Sequence, residues 1–275
     1  MNGKHSIFYK YDANTCVRLY YGFLISIGLI FGGGAIAAIL LSMPGENDLG
    51  FLAALILFLI YMILHRFPLI LLFGVLFTDC DPVKMRDIIF IIENKVKVEK
   101  AKVTWKSLRA LAVSFIRGGE QESFELLRAC QAYNKTDQNE FYLTMYARYY
   151  SATEDWENYQ AVKEKRENLY RMRRKSKKAR ALDEKNQKAD EVDEADEKFR
   201  AGEFEEARRL YLKLLDVRKS SMLSKVTIHE RLGVMDSKEG KKESAKKHLM
   251  FAAQNGGTTY MADEAREILQ QIGQE

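Results

Sequence analysis

The chain has 275 residues, a formal net charge of +5, 47% hydrophobic residues and 29% charged residues. These totals are those of an average globular protein, and so mild a positive charge does not by itself indicate a nucleic-acid-binding protein. The three cysteines, Cys16, Cys80 and Cys130, are an odd number without metal-ligand or redox spacing. They favour a reducing compartment and argue against a disulfide-bonded extracellular domain.

The first apolar run extends from Leu19 to Leu41 and contains no charged residue. At about 1.5 Å per residue it is long enough for a bilayer core of about 30 Å. It is too long for the apolar region of a signal peptide, and a second apolar run follows closely. We predict a cytoplasmic N-terminal segment at residues 1–18 and a transmembrane helix at residues 19–41.

Small residues recur within this first run, where Gly28 and Gly32 form a GxxxG pair. The pairs Gly33/Ala37 and Gly34/Ala38 extend this small-residue pattern. Such pairs let helix backbones approach closely. The pair is interpreted either as a homodimer contact or as packing against the second helix of the same chain. The second interpretation is favoured because that partner is already tethered.

The second apolar run begins after a short link that contains Pro44 and Gly45, which predict a turn. We predict an external turn at residues 42–49 and a second transmembrane helix at residues 50–72, with apolar sequence to residue 77. Arg66 would then extend to the headgroups at the inner boundary. In the alternative, the span ends at Arg66, and residues 68–77 lie in the interface or dock on the following domain.

The flanking charges predict the orientation of both helices. The link lacks Lys and Arg, whereas both outer flanks contain them. Cytoplasmic segments carry an excess of these residues. We therefore predict a multi-pass protein of the inner (plasma) cell membrane, integral in the lipid bilayer, with the N-terminus and the C-terminal domain cytoplasmic. The basic residues of the flanks are Lys4, Lys10, Arg18, Lys84, Arg86, Lys95, Lys97, Lys100 and Lys102.

Residues 82–275 show helical periodicity with almost no strand signal, and no proline follows Pro82. Asp81 and Pro82 predict a helix start, with the aspartate as cap and the proline at the first helical position. Helix capping also explains Asp79 and Asp81 better than a metal site does. Predicted helices then follow at short intervals: Trp105–Phe115, Ser123–Tyr133, Phe141–Tyr150, Trp156–Tyr170 and Thr258–Ile272.

An internal repeat aligns residues 201–215 with residues 239–253 at a constant offset. Residues 118–130 fit the same template, and residues 153–166 form a weaker copy in which Trp156 takes the aromatic position after the turn. The signature residues are Gly202, Phe204, Ala207, Tyr211, Gly233, Gly240, Ala245, Leu249 and Ala252.

This pattern resembles the tetratricopeptide repeat, although the offset is longer than the usual period of about 34 residues and the terminal proline is absent. The resemblance implies an all-α protein: a two-helix transmembrane hairpin followed by a tetratricopeptide-like α-solenoid. It also implies a groove for an extended peptide or partner helix, and a terminal cap at Thr258–Ile272. The overall layout is similar to uncharacterised bacterial membrane-anchored repeat proteins, which implies architecture and no activity.

A charged segment covers residues 162–206, with a basic first part and an acidic second part. It is interpreted as a solvated helix or a partly disordered insertion whose two runs attract each other. An alternative is binding to anionic lipid headgroups, and RNA binding is less favoured because no recognised module is present. The candidate lipid-binding residues are Arg171, Arg173, Arg174, Lys175, Lys177, Lys178 and Arg180.

No catalytic, phosphate-binding or metal-binding motif occurs in the sequence. We therefore predict no catalytic residue, no metal, no cofactor and no small-molecule substrate. The predicted function is a membrane-anchored, non-enzymatic scaffold whose cytoplasmic repeats bind a partner protein. The alternative is a membrane-surface module that binds anionic lipid through residues 171–180.

Overall fold

The computed structural model describes residues 5–42, 48–133, 139–174, 191–216 and 220–274. Within these ranges every regular element is a helix, so the all-α prediction is confirmed for this part of the chain. The helices are α1 (Ala13–Ile27), α2 (Gly33–Ser42), α3 (Asp48–Leu64), α4 (Phe67–Phe77), α5 (Pro82–Lys95), α6 (Glu99–Val113), α7 (Glu120–Cys130), α8 (Glu140–Ala152), α9 (Trp156–Arg174), α10 (191–200), α11 (Phe204–Leu215), α12 (Met222–Lys238), α13 (Lys242–Asn255) and α14 (Tyr260–Gln274).

Two continuous helices, Ala13–Leu40 and Gly50–Phe77, are long and apolar enough to cross a membrane. A short π-helical segment, Gly28–Gly32, joins α1 to α2. The two helices are antiparallel neighbours, because α2 packs on α3 and α1 on α4.

The small-residue pattern of the first helix faces the second, because both α2 and the π-helical segment that holds the GxxxG pair pack against α3. A Cβ atom on Gly28 or Gly32 would meet no atom within 4 Å, whereas one on Gly34 would lie 3.4 Å from Cδ1 of Leu57. Among these three glycines, the close contact with the second helix is therefore at Gly34.

The ends of both apolar helices enter the core of the helical domain. Leu72, Val75 and Leu76 of α4 are fully buried, and so are Cys16 and Val17 of α1. They share one core cluster with residues of α5, α12, α13 and α14. The apolar sequence continues to residue 77 because the last two turns of α4 are part of the domain core. This packing favours the alternative in which residues 68–77 dock on the following domain.

Four helical hairpins share one turn geometry. The turn residues Gly118, Glu154, Gly202 and Gly240 all have φ between 56° and 76°. After the last three of these residues the next N–H donates to the carbonyl five residues earlier, over 2.8–3.0 Å. This bond is that of the Schellman motif, which ends a helix through a left-handed residue. The hairpins are α6–α7, α8–α9, α10–α11 and α12–α13.

The hairpins do not form an open row. The backbone N–H of Tyr260, at the start of α14, donates to the carbonyl of Phe115 at the end of α6 over 2.9 Å. Ala262 and Ala265 of α14 are fully buried, as expected for its apolar face. The C-terminal helices thus pack back on the N-terminal part of the domain.

Candidate functional site: a cleft among the helical hairpins

A cleft of about 680 Å³ lies among helices α7, α8, α9, α10, α12 and α14. Its walls combine aromatic and charged side chains, and its basic and acidic residues are nearly balanced in number. The basic residues are Arg117, Arg148, Arg166, Arg200, Arg231 and Lys238; the acidic residues are Glu120, Glu154, Asp193, Asp196 and Glu264.

Arg148 of α8 marks one wall of the cleft. Its guanidinium group lies 3.8 Å from the ring centre of Phe115 and 6.0 Å from that of Tyr260. Cation–π packing of this kind holds an arginine in place without neutralising its charge. Among the described residues, Arg148 has no carboxylate partner within ion-pair distance, so its donors can bind a ligand.

Arg200 organises the opposite wall. It donates to the hydroxyls of Ser151 (2.8 Å) and Tyr159 (3.2 Å), and its guanidinium group lies 5.5 Å from the ring centre of Trp156. The Tyr159 hydroxyl in turn donates to Glu197 over 3.2 Å, and burial raises the pKa of this tyrosine. The wall is therefore preorganised by a hydrogen-bonded chain that joins α8, α9 and α10.

A buried carboxylate, Glu230, lies next to the cleft-lining residue Arg231 on α12 and does not itself line the cleft. Glu230 is fully buried, and neither of its carboxylate oxygens has a hydrogen-bond partner; its closest cation is Arg231, at 3.5 Å. Burial raises the pKa of Glu230 to about 7, with Arg231 opposing the shift. Burial also raises the pKa of Glu264, which lines the cleft. A buried carboxylate of this kind is costly in its charged form.

A second set of contacts joins the apolar helices to this domain, and we call it the junction. It contains Asp79, Cys80, Asp81, Gly257 and Thr258. The Thr258 N–H donates to the Cys80 carbonyl (3.1 Å), and the Thr258 hydroxyl donates to Asp81 (2.8 Å), which also caps α5 through the N–H of Lys84.

Capping was predicted for both aspartates and is wrong for one of them. Asp81 caps α5 as predicted, whereas Asp79 accepts bonds from the backbone N–H and the hydroxyl of Ser6. Asp79 therefore fixes the N-terminal segment to the end of α4 and does not cap a helix.

The repeat signature residues lie mainly at buried positions. Ala207, Tyr211, Ala245, Leu249 and Ala252 are at most 1% exposed. Gly233 of α12 lies directly against α13, because a Cβ at this position would lie 2.6 Å from Cγ of Leu249. Only glycine lets the two helices pack this closely here. Gly202 and Gly240 are the left-handed turn residues, and Phe204 begins α11.

The candidate lipid-binding cluster lies mostly outside the described residues. α9 ends at Arg174, and Arg171 forms an exposed ion pair with Glu167 at 3.4 Å. Lys175, Lys177, Lys178 and Arg180 lie outside the described residues.

The expected attraction between the basic and acidic runs is present where the structure describes both. Arg166 of α9 donates to Asp193 of α10, and Lys163 of α9 lies 2.5 Å from Glu197 of α10. These pairs hold α10 against α9 and so close one side of the cleft.

Sequence reasoning did not find the cleft residues Arg148, Arg200 and Arg231. Each is a single arginine on a different helix, without a motif around it. The aromatic residues of α8, such as Tyr149 and Tyr150, lie beside Arg148 in the sequence but form no motif that indicates a binding site.

No protein-family model, no curated protein and no solved structure matches this chain. Among the described residues, no group of three or more His, Cys, Asp or Glu side chains could hold a metal ion. Over its described residues the chain is an all-helical protein with two helices that could cross a membrane.

Proposed function

We propose that this protein is a non-enzymatic scaffold of the cell membrane, with the N-terminus and the tetratricopeptide-like domain in the cytoplasm. In this proposal the cleft binds a segment of a partner protein. The observation that carries the proposal is the cleft itself, a large concave surface whose aromatic and charged walls are fixed by contacts among several hairpins.

The balance of charges in the cleft supports a polypeptide ligand. Nucleic acid binding depends on a clear excess of basic side chains along the phosphate backbone, and the cleft has almost as many acidic as basic residues. Arg148, Glu154 and Glu264 line it without ion-pair partners among the described residues. Such a surface offers both donors and acceptors, and aromatic and arginine side chains are typical anchors of protein interfaces.

The exposed apolar surface supports anchoring in a bilayer. Leu29, Ile36, Phe51 and Ile63 are all more than 60% exposed. Other apolar residues of α2 and α3 are at least half exposed: Leu40, Leu52, Phe58 and Leu59. A continuous apolar surface of this size is not stable in water. The absence of Lys and Arg between the two helices supports the orientation with the repeats inside.

Site-specific photocrosslinking in intact cells tests the proposal. We would place p-benzoylphenylalanine at Thr144, an exposed residue of α8 that lines the cleft. Met250 of α13 is the matched control, because it is 49% exposed and does not line the cleft. We expect a discrete protein adduct from position 144 and none from position 250.

The variant Arg148→Gln, made in the chain with the crosslinker at position 144, should reduce the yield of this adduct several-fold. It removes the unpaired guanidinium group while keeping a side chain of similar length. Equal adducts at both positions, or no adduct at position 144, would contradict partner binding in the cleft.

A further inference from the structure

The proposed membrane anchoring fixes where the inner bilayer boundary meets the chain, and this inference rests on it. From Ser42, about 30 Å of helix at 1.5 Å per residue reaches Gly22 on the first apolar helix. The same length from Asp48 reaches Pro68 on the second. Tyr20 and Tyr21 then lie at the inner boundary, where tyrosine is enriched.

The link between α5 and α6 lies at the same level. Lys95, the last residue of α5, has its ammonium group 5.7 Å from the ring centre of Tyr21. Trp105 of α6 contacts Tyr20 edge to face, with 5.8 Å between ring centres. Val96 packs partly buried against the same core cluster as Phe23. In the proposed anchoring the α5–α6 link therefore lies close to the plane of the headgroups.

Within the described ranges, the basic residues of this link have no carboxylate partner, and an apolar residue lies at its tip. Lys95, Lys97 and Lys100 are exposed, and none has a carboxylate within ion-pair distance in the part of the chain that the structure describes. Glu99, the acidic residue among them, is paired with Lys102 at 2.8 Å. Val98, at the tip, is 65% exposed.

We propose that the α5–α6 link, residues 95–100, is a binding site for anionic phospholipid headgroups. The three lysines contact phosphate oxygens, and Val98 enters the boundary between headgroups and acyl chains. The negative surface potential of a cytoplasmic leaflet attracts lysines that lie within a Debye length of it. Since α5 begins at the junction, lipid bound here also sets the orientation of the domain relative to the bilayer.

The full-length chain with Val98→Cys, labelled with the environment-sensitive fluorophore NBD, provides the test. The native cysteines are all fully buried and should remain unlabelled. The labelled chain is reconstituted into vesicles of phosphatidylcholine alone or mixed with phosphatidylglycerol. We expect blue-shifted emission and weaker iodide quenching in the mixed vesicles, and a smaller difference at high salt.

The charge-removing triple variant Lys95→Gln, Lys97→Gln and Lys100→Gln should abolish the difference between the two kinds of vesicle. A matched triple variant at the N-cap and in the first half of α13, Lys241→Gln, Lys242→Gln and Lys247→Gln, should retain it. Identical emission in both kinds of vesicle, or a difference that survives the first triple variant, would overturn the proposal.

The outcomes separate this site from the proposed function. A chain that carbonate washing removes from the vesicles would overturn both the membrane anchoring and the lipid site. A lipid-dependent signal at position 98 without a crosslink at position 144 would overturn partner binding alone.

Discussion

The backbone N–H of Thr258 donates to the carbonyl oxygen of Cys80 over 3.1 Å. This bond joins the loop before the last helix to the short segment between the second apolar helix and α5. Cys80 is fully buried and has a left-handed backbone, with φ of 53°. A left-handed non-glycine residue persists only where its surroundings hold it, and the Thr258 contact is one such restraint.

The junction is continuous with the cleft. Two residues after Thr258, the backbone N–H of Tyr260 bonds to Phe115, and both rings lie near the guanidinium group of Arg148. A displacement of the apolar helices would therefore reach a cleft wall through a short run of backbone and ring contacts. Any coupling between the bilayer and the cleft would use this route.

The variant Gly257→Ala should disrupt the junction. Gly257 has φ of 54°, and an added Cβ would lie 2.4 Å from the backbone oxygen of Cys80, which cannot move aside as a side chain could. We expect a loss of about 2–3 kcal/mol in unfolding free energy, measured by tryptophan fluorescence in detergent. Gly273→Ala, where a Cβ would meet no atom, is the control; equal stability of the two variants would contradict this role.

The turn residue Glu154 should be replaceable with a gain in stability. It takes the left-handed conformation that glycine takes in the other three hairpins, with φ of 56°. This conformation costs an L-residue about 1 kcal/mol. We expect Glu154→Gly to stabilise the protein by about 0.5–1 kcal/mol in chemical unfolding, and Gly240→Ala to destabilise it by about as much. Glu154→Ala removes the charge but keeps the Cβ, so a gain from alanine would contradict the backbone explanation.

The hairpins and their turns could be predicted from the sequence, because glycine and small residues repeat at a constant offset. Glu154 was placed in the series through Trp156, although its own residue type gave no sign of a left-handed turn. The junction could not be predicted, because its backbone bond joins Cys80 and Thr258 through groups that any residue supplies, and its side-chain bond joins Asp81 and Thr258, which are far apart in the sequence. The contact between the start of α14 and the end of α6 could not be predicted either. A repeat pattern predicts how neighbouring hairpins pack, and it says nothing about contacts between the first and last helices of the series.

The pair His229 and His248 should make stability depend on pH. Their Nδ1 atoms are 2.9 Å apart, and His229 stacks on Phe251. Burial, His248, Lys225 and Lys247 lower the pKa of His229 to about 4. Below pH 6.5 the unfolded chain therefore takes up a proton that the folded chain does not. We expect the unfolding free energy to fall by roughly 1–2 kcal/mol between pH 7 and pH 5 on this account.

The variant His229→Asn isolates this contribution in denaturant unfolding at several pH values. It should flatten the pH dependence of stability in that range relative to the unmodified protein. Glu230 acts in the opposite direction, because its pKa of about 7 lets the folded chain hold a proton that the unfolded chain releases above pH 4.5. Glu230→Gln should therefore steepen the fall toward low pH, and identical slopes in all three proteins would refute both assignments.

Cysteine labelling of intact cells should show which side of the membrane the domain occupies. The native cysteines Cys16, Cys80 and Cys130 are fully buried, so new cysteines can be read without removing them. We would introduce Asn47→Cys in the link between the apolar helices, or Met250→Cys on the exposed side of α13. A membrane-impermeant thiol reagent should label position 47 alone, because the basic flanks are expected to stay inside. Labelling of position 250 in intact cells would place the cleft outside, and would direct the search for its partner to the cell envelope.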